Sequence, residues 1–300
     1  MKILIIGSEG FIGNHCVNFY IDKGYSVFGC DMLDYKSAEY KYFKISRISP
    51  DYDEIFTNIK YDLCINASGN GNVQVSITHP LKDFEANCSD VISLLERLRL
   101  YSPQCKYIHL SSAAVYGNPI DLPISEESVL NPISPYGWHK LISEKICKEY
   151  ATLYNIKIAI LRPFSVYGPK LRKQLFWDIY QKLKKDIQEI EVFGSGLESR
   201  DFIYIDDLVL ALDLIFQKSQ MNGDIYNLAN GEEILIKDAV GTFVSIYNNE
   251  TKIIFSNNQL AGSPVNWLAD ISKIRKLGYK PTNNFINNIK SLVSWMRNQN

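Results

Sequence analysis

The chain begins Met-Lys-Ile-Leu-Ile-Ile and runs straight into glycines at positions 7, 10 and 13. A short apolar strand therefore ends in a glycine turn that opens a helix near Phe11. Glycine lets the backbone turn sharply and approach a pyrophosphate closely. The helix N-terminus then adds N–H groups and the positive end of its dipole. The spacing is G-x-x-G-x-x-G, one residue longer than the commonest dinucleotide fingerprint. The apolar run is too short for a secretion signal and no small-residue cleavage site follows, so it reads as a buried first strand.

The first two-thirds of the chain keeps this rhythm of apolar runs alternating with amphipathic stretches. That is the βαβ pattern of a parallel sheet covered on both faces. Strands are expected at 2–6, 25–30, 62–66, 107–111 and 156–161, with long helices at 80–100 and 134–154. From Ser165 the rhythm loosens. A loop at Gly168-Pro169 precedes a helix at 175–185, and a glycine turn spans 194–196. A helix at 208–217 is expected to be capped by Asp206 or Asp207, and a closing helix covers 284–300. No repeat or low-complexity linker interrupts the chain. The expected fold class is α/β: a Rossmann-type doubly wound parallel sheet with a smaller C-terminal α/β substrate lobe. Residues 1–165 form the NAD-binding unit, 166–300 the substrate lobe, and some later segments return to the sheet.

Composition narrows the partners. A net charge of -1 gives no electrostatic reason to bind nucleic acid or an anionic membrane. No apolar run approaches the ~18 residues of a spanning helix. Six scattered cysteines without a C-x-x-C pair suit a reduced, cytoplasmic protein. His15, His79, His109 and His139 show no ligand spacing, so no metal site is expected.

The chemistry is concentrated in three places. Tyr136 and Lys140 lie four apart on one helix face, and Ser112 precedes them in Ser-Ser-Ala-Ala-Val-Tyr-Gly. Tyrosine titrates near ~10, so it needs help to act as a base at neutral pH. An ammonium beside it and a cationic nicotinamide above it would favour the phenolate. A serine hydroxyl can then orient a substrate alcohol while hydride leaves the same carbon. Asp31 ends the second strand eighteen positions after Gly13. A carboxylate there accepts the ribose hydroxyls of NAD and repels the 2′-phosphate of NADP. Lys36 is the nearest cation after it. Arg200 can clamp a diphosphate. The cluster Lys170, Arg172 and Lys173 reads first as a solvated face and second as an anionic contact. Trp138, Trp177, Trp267 and Trp295 read as packing residues, Trp267 also as a candidate cleft wall. Cys30 and Cys64 read as small core residues.

Together the runs GSEGFIG, Asp31, Asn66-Ala67-Ser68-Gly69, Asn87, SSAAVYG, YGWHK, RPFSVYGP and ESRDFIYIDDL resemble the extended short-chain dehydrogenase/reductase family. The likeness is to its NAD-dependent nucleotide-sugar epimerase/dehydratase branch and extends to about Lys280. The resemblance implies that Ser112, Tyr136 and Lys140 are catalytic. It implies that Gly7, Gly10, Phe11, Ile12 and Gly13 hold the cofactor, with Asp31, Met32 and Leu33 at its adenosine end. Ala67, Ser68 and Gly69 line its middle, Asn87 braces that region, and Phe164 lies near the nicotinamide. Tyr136 and Lys140 touch both cofactor and chemistry. Ser112, Tyr136, Ser165 and Arg200 meet the sugar nucleotide.

Departures from the branch direct the reaction class. Dehydratases carry Asp-Glu after the serine or threonine, where this chain has Ala113 and Ala114. Ser165 stands for an asparagine common in epimerases, and the Asn266-Trp267 region for a common phosphate-binding arginine. The aspartate that reads the adenine edge is not placed within 44–49. The resemblance implies 4-epimerisation of a nucleotide diphosphate sugar, with a 4-keto nucleotide-sugar reductase as the alternative. An NAD-binding redox sensor is the non-enzymatic alternative. NAD, a nucleotide sugar and a second copy of the chain in a homodimer are the implied partners.

Overall fold

The computed structural model describes residues 1–34, 39–46, 50–258, 262, 264–282 and 284–299. Lys36 and the 47–49 part of the segment searched for an adenine-reading aspartate lie outside the described residues. The first half contains β1 (Lys2–Ile6), α1 (Phe11–Asp22), β2 (Ser26–Asp31), β3 (Lys41–Lys44), α2 (Asp53–Thr57) and β4 (Leu63–Asn66). Next come α3 (Val73–Thr78), α4 (Pro80–Phe84), α5 (Asp90–Tyr101), β5 (Lys106–Leu110), α6 (Pro135–Tyr154) and β6 (Ile158–Pro163). Among the described residues these strands and β10 (Asn222–Leu228) form one seven-stranded sheet, ordered β10-β6-β5-β4-β1-β2-β3. Every pairing within it is parallel. The order reverses between β1 and β4, which opens a crevice at the carboxyl ends of the strands.

The sheet is buried on both faces, and β1 shows how. Ile3 and Ile5 pack with Cys16, Val17 and Leu212 on one side. Leu4 and Ile6 point the other way, among Phe56, Leu95, Cys147 and Tyr150. Period-two alternation thus reads as a continuous apolar run, because both faces are covered. Cys30 and Cys64 are fully buried in this core, and all six cysteines are free.

The expected helix at 80–100 is not uniform. A single π-helical turn, Glu85–Ser89, joins α4 to α5. Such a turn inserts a residue and re-aims its neighbours. Here it turns Asn87 fully inward.

The remainder begins with β7 (Ser165–Tyr167), α7 (Gln174–Lys185), β8 (Glu189–Val192), β9 (Ser199–Tyr204) and α8 (Ile205–Lys218); α8 packs on the large sheet beside α1, and the other four belong to a second layer. After β10 come β11 (Glu233–Leu235), α9 (Ile236–Tyr247), β12 (Lys252–Phe255), α10 (Ser272–Arg275) and α11 (Phe285–Arg297). A three-stranded sheet β11-β9-β7 and a pair β12-β8 surround a core of Tyr167, Phe176, Phe202, Phe243 and Ile289. Trp177 and Trp295 pack against each other there, whereas Trp138 is 50% exposed on α6 and is no core residue. The expected cap at Asp206 or Asp207 is not formed. α8 starts earlier, after Tyr204, with no side-chain cap, and Asp207 instead accepts the Thr282 hydroxyl at 2.8 Å.

Candidate active site

The glycine turn lies at the crevice. Gly7 has φ +81°, a region that costs glycine nothing. A Cβ there would stand 2.8 Å from the Ser68 nitrogen, and one on Gly13 would stand 2.0 Å from the Gly7 oxygen. The turn therefore packs α1 onto itself and onto the loop after β4. Gly10 precedes α1 without a side-chain cap, and the first turn holds no acid. The leading N–H groups, beside Phe11 and Ile12, thus present uncompensated positive charge. That cradle fits the diphosphate of a dinucleotide.

Asp31 is 8% exposed at the end of β2. Its Oδ2 accepts from Glu9 N at 3.0 Å, and its Oδ1 from Met32 N at 2.7 Å and Leu33 N at 3.4 Å. The carboxylate thus ties the glycine turn to the β2 exit, with about one of its four lone-pair sites left over. The Met32 and Leu33 side chains are exposed. Glu9, which the sequence reading missed, adds a second carboxylate beside Asp31 and accepts the Tyr40 hydroxyl. Across the crevice, Ser68 donates through N (3.1 Å) and Oγ (2.6 Å) to Asn66 Oδ1. Asn87 donates to Asn70 O and Asp83 O, and its buried Oδ1 lies against Gly69 without a donor. The 67–70 loop, with Ala67 half-buried, is held in place from beneath.

The expected trio meets between β5 and α6. Ser112 caps the turn Ala113–Tyr116 by accepting from Ala114 N at 3.1 Å. Ser134 caps α6 through Gly137 N at 3.2 Å, and Pro135 opens the helix. The Tyr136 phenol lies close enough to the Ser112 hydroxyl for that group to lower its pKa. Lys140, 5% exposed, lies one turn on, with Nζ 5.9 Å from the Tyr136 ring centroid and donating to Leu110 O at 3.0 Å. Burial pushes the ammonium down to about 8, while Asp83 pulls it back up. Burial pushes the Tyr136 phenol up, the Ser112 hydroxyl lowers it, and Asp83 raises it further. A cationic nicotinamide above the ring is expected to favour the phenolate together with the lysine. In the structure the lysine sits over the ring rather than on the oxygen, and burial outweighs it. The push toward phenolate must come from a further positive charge beside the ring.

The floor of this site was not read from sequence. Glu144, one turn beyond Lys140, binds the Arg162 guanidinium through both oxygens, at 2.9 and 2.7 Å. Ser111 donates to the same carboxylate at 2.5 Å, and Arg162 donates to the Tyr116 hydroxyl at 2.7 Å. All four residues are buried. The network fixes α6 against the ends of β5 and β6, and so sets where Tyr136 and Ser112 meet. The only hint was the four-residue step running from Tyr136 through Lys140 to Glu144.

The second layer supplies the other wall. Phe164 is buried between Tyr116 and Trp267, so only a small edge of its ring could reach a nicotinamide. Ser165 is half-buried on β7. Arg200 donates to the carbonyls of Ser199 (2.7 Å), Pro264 (2.9 Å) and Val265 (3.0 Å) and lies over Trp267. Three of its five donors are thus engaged in bracing 264–267, leaving two. Burial lowers it to about 10. Trp267 lines a cavity of about 40 Å³ with Ala114, Val73, Ile133 and Pro264. Asp201, also missed, is fully buried and pushed up to about 7 by burial, while the backbone N–H groups of Asn230, Gly231 and Ala269 bind it. Among the described residues no group of three His, Cys, Asp or Glu could hold a metal, and no helix is long and apolar enough to cross a membrane.

A glycine cradle, a strand-end aspartate and a serine–tyrosine–lysine trio on a doubly wound sheet define a dinucleotide-dependent short-chain dehydrogenase/reductase fold. Residues 3–229 match the NAD dependent epimerase/dehydratase family, and the chain belongs to it. It is 30% identical to a putative UDP-glucose 4-epimerase of Methanocaldococcus jannaschii, covering 99% of both chains. It is 27% identical to a UDP-glucuronate 4-epimerase of Thermodesulfobacterium geofontis, covering 98% of this chain and 95% of that one. Among solved structures it resembles the UDP-glucuronic acid 4-epimerase of Bacillus cereus in complex with UDP-glucuronic acid and NAD. That match has a TM-score of 0.90, 26% identity and full coverage of both chains.

Proposed function

We propose that this chain is an NAD-dependent 4-epimerase of a nucleotide diphosphate sugar, a UDP-hexose or UDP-N-acetylhexosamine, working through a transient 4-keto sugar. The observation that carries the reading is Ser112 and Tyr136 brought together over buried Lys140, next to Ala113 and Ala114. Tyr136 takes the proton of the 4-hydroxyl and returns it after the sugar has turned its other face. Ser112 holds the reacting oxygen against the phenol. Lys140, held by Leu110 O, keeps a positive charge below the ring. Bound NAD supplies the hydride acceptor and donor at C4. The alanine methyls can neither protonate a departing C6 hydroxyl nor remove the C5 proton, so water is not lost. The cavity at Ala114 is lined without a carboxylate, in keeping with this.

In this reading residues 1–165 bind NAD and 166–300 bind the sugar nucleotide, with β10 as a strand lent back to the sheet. Gly7, Gly10, Phe11, Ile12 and Gly13 hold the cofactor diphosphate. Asp31, Met32 and Leu33 meet its adenosine. Ala67, Ser68, Gly69 and Asn87 support its middle, and Phe164 edges the nicotinamide. Ser165 and the two unused donors of Arg200 meet the substrate. The protein works in the cytoplasm as a homodimer. Leu81, Phe84, Ile92, Trp138, Ile142 and Leu153 leave an exposed apolar surface on α4, α5 and α6, which two copies can bury as a four-helix bundle.

Denaturing the purified protein should release NAD in near-equal amount, and the native protein should turn over without added cofactor. A protein that carries no nucleotide and turns over a keto-sugar only with NADPH would replace this reading with that of a reductase.

A further inference from the structure

The basic cluster after β7 is exposed throughout, as a solvated face would be, but its three side chains lead to different places. Arg172 turns away from the crevice, donating to Gln299 at 2.5 Å and lying over Trp177. Lys170 reaches across to the first half of the chain and donates to Asn14 Oδ1, in the first turn of α1, at 2.7 Å. Lys173 reaches across as well. A Cβ built on Gly71 would stand 3.0 Å from its Nζ, so the ammonium occupies the space that a side chain at 71 would fill. The segment is anchored by Leu171, which is buried. Its backbone is strained on both sides of Lys173, with φ +73° at Lys170 and +67° at Gln174. Strain of this kind persists where the surrounding structure holds a side chain in a required place.

Among the described residues no hydrogen bond or ion pair satisfies Lys173 Nζ, and the side chain is exposed. Desolvation nonetheless lowers its pKa without an opposing carboxylate. A cation standing in a cleft with no counter-ion is arranged for an anion that arrives. The two lysines bracket the glycine cradle, Lys170 at α1 and Lys173 at the loop two residues beyond Gly69.

We propose that Lys173, steadied by the Lys170–Asn14 contact, is a binding residue that closes over a diphosphate at the seam between the two halves. This rests on the reading of the site as that of an NAD-dependent nucleotide-sugar epimerase. The diphosphate belongs either to NAD or to the sugar nucleotide, and binding measurements separate the two. NAD and UDP are titrated separately into nucleotide-stripped full-length protein carrying Lys173→Met, Lys173→Arg or Arg172→Ala. Loss of one charge-assisted contact should weaken the gripped ligand about ten- to a hundredfold. Lys173→Arg should retain most of the affinity, Arg172→Ala should match wild type, and the salt dependence should flatten in Lys173→Met. Weakening of NAD alone assigns the cofactor's diphosphate, and weakening of UDP alone assigns the substrate's. Wild-type affinity of Lys173→Met for both ligands overturns the proposal and leaves the epimerase reading intact. A wild-type protein that binds neither ligand overturns both.

Discussion

Two buried cations, Lys140 on α6 and Arg162 paired with Glu144 of the same helix, are treated in opposite ways. Arg162, on the floor, has every advantage: a bidentate carboxylate, a phenol hydroxyl and a backbone carbonyl. Lys140, on the working edge, has a single backbone carbonyl as hydrogen-bond acceptor. The ammonium is consequently pushed down to about 8, while the guanidinium is pushed above its ordinary value. Burial opposes charge in both cases, and the number of partners decides the outcome. A fully paired cation fixes architecture. An under-paired one is kept short of partners so that its charge remains available to a neighbour, here the Tyr136 ring.

The comparison breaks most visibly at Tyr136. Tyr136→Phe should lower kcat by ~10²–10⁴, the range of a positioned proton acceptor, with bound NAD unchanged. Steady-state rates and nucleotide content check it, and a variant retaining more than a tenth of the rate would remove Tyr136 from the role.

On the floor, Glu144→Ala leaves Arg162 charged and buried without its carboxylate. It should cost about 3–5 kcal/mol of stability, read by urea unfolding. Adding Arg162→Met should recover part of that loss. A single variant as stable as wild type would mean that the pair does not hold α6 in place.

Lys140→Met should do the reverse, abolishing turnover while stabilising the protein at neutral pH by on the order of 1–3 kcal/mol. The sign follows from the pKa. The folded value, about 8, lies below the unfolded 10.5, so burying the charged lysine costs stability in full below pH 8. That cost fades as pH rises from 8 to 10.5, and the variant's advantage should fade with it. Thermal melts across this range test it. An advantage independent of pH would point to packing instead.

How much of this was legible follows the same division. The strands near the glycine turn are apolar on both faces and announce themselves, as do Ser112, Tyr136 and Lys140. Glu144 and Arg162 are eighteen residues apart on different elements, and nothing local says that they pair. Among the later strands β7, β8, β11 and β12 are short and partly exposed. β8 alternates exposed and buried positions over four residues, too few to separate from a loop. The π turn at Glu85–Ser89 keeps helical composition and leaves no mark in the spacing. Asp206 and Asp207 look like caps, yet β9 runs directly into α8 and Asp207 serves Thr282.

The smallest expected effect is at Asp31. Asp31→Ala should narrow the preference for NAD over NADP about tenfold, through lost repulsion and ribose contacts. Glu9 remains as a second carboxylate, so the preference should not invert. Titration of both cofactors decides it, and an unchanged ratio would confine Asp31 to holding the Glu9 amide.

The central claim is that hydride leaves C4 and returns to the same carbon without loss of water. UDP-glucose, UDP-galactose and their N-acetyl forms, each carrying deuterium at C4, can be incubated with the enzyme and resolved by chromatography and mass spectrometry. At least one should yield its C4 epimer with unchanged mass and the deuterium retained. A product lighter by one water, or an epimer that has exchanged its C4 deuterium for solvent hydrogen, would contradict the account.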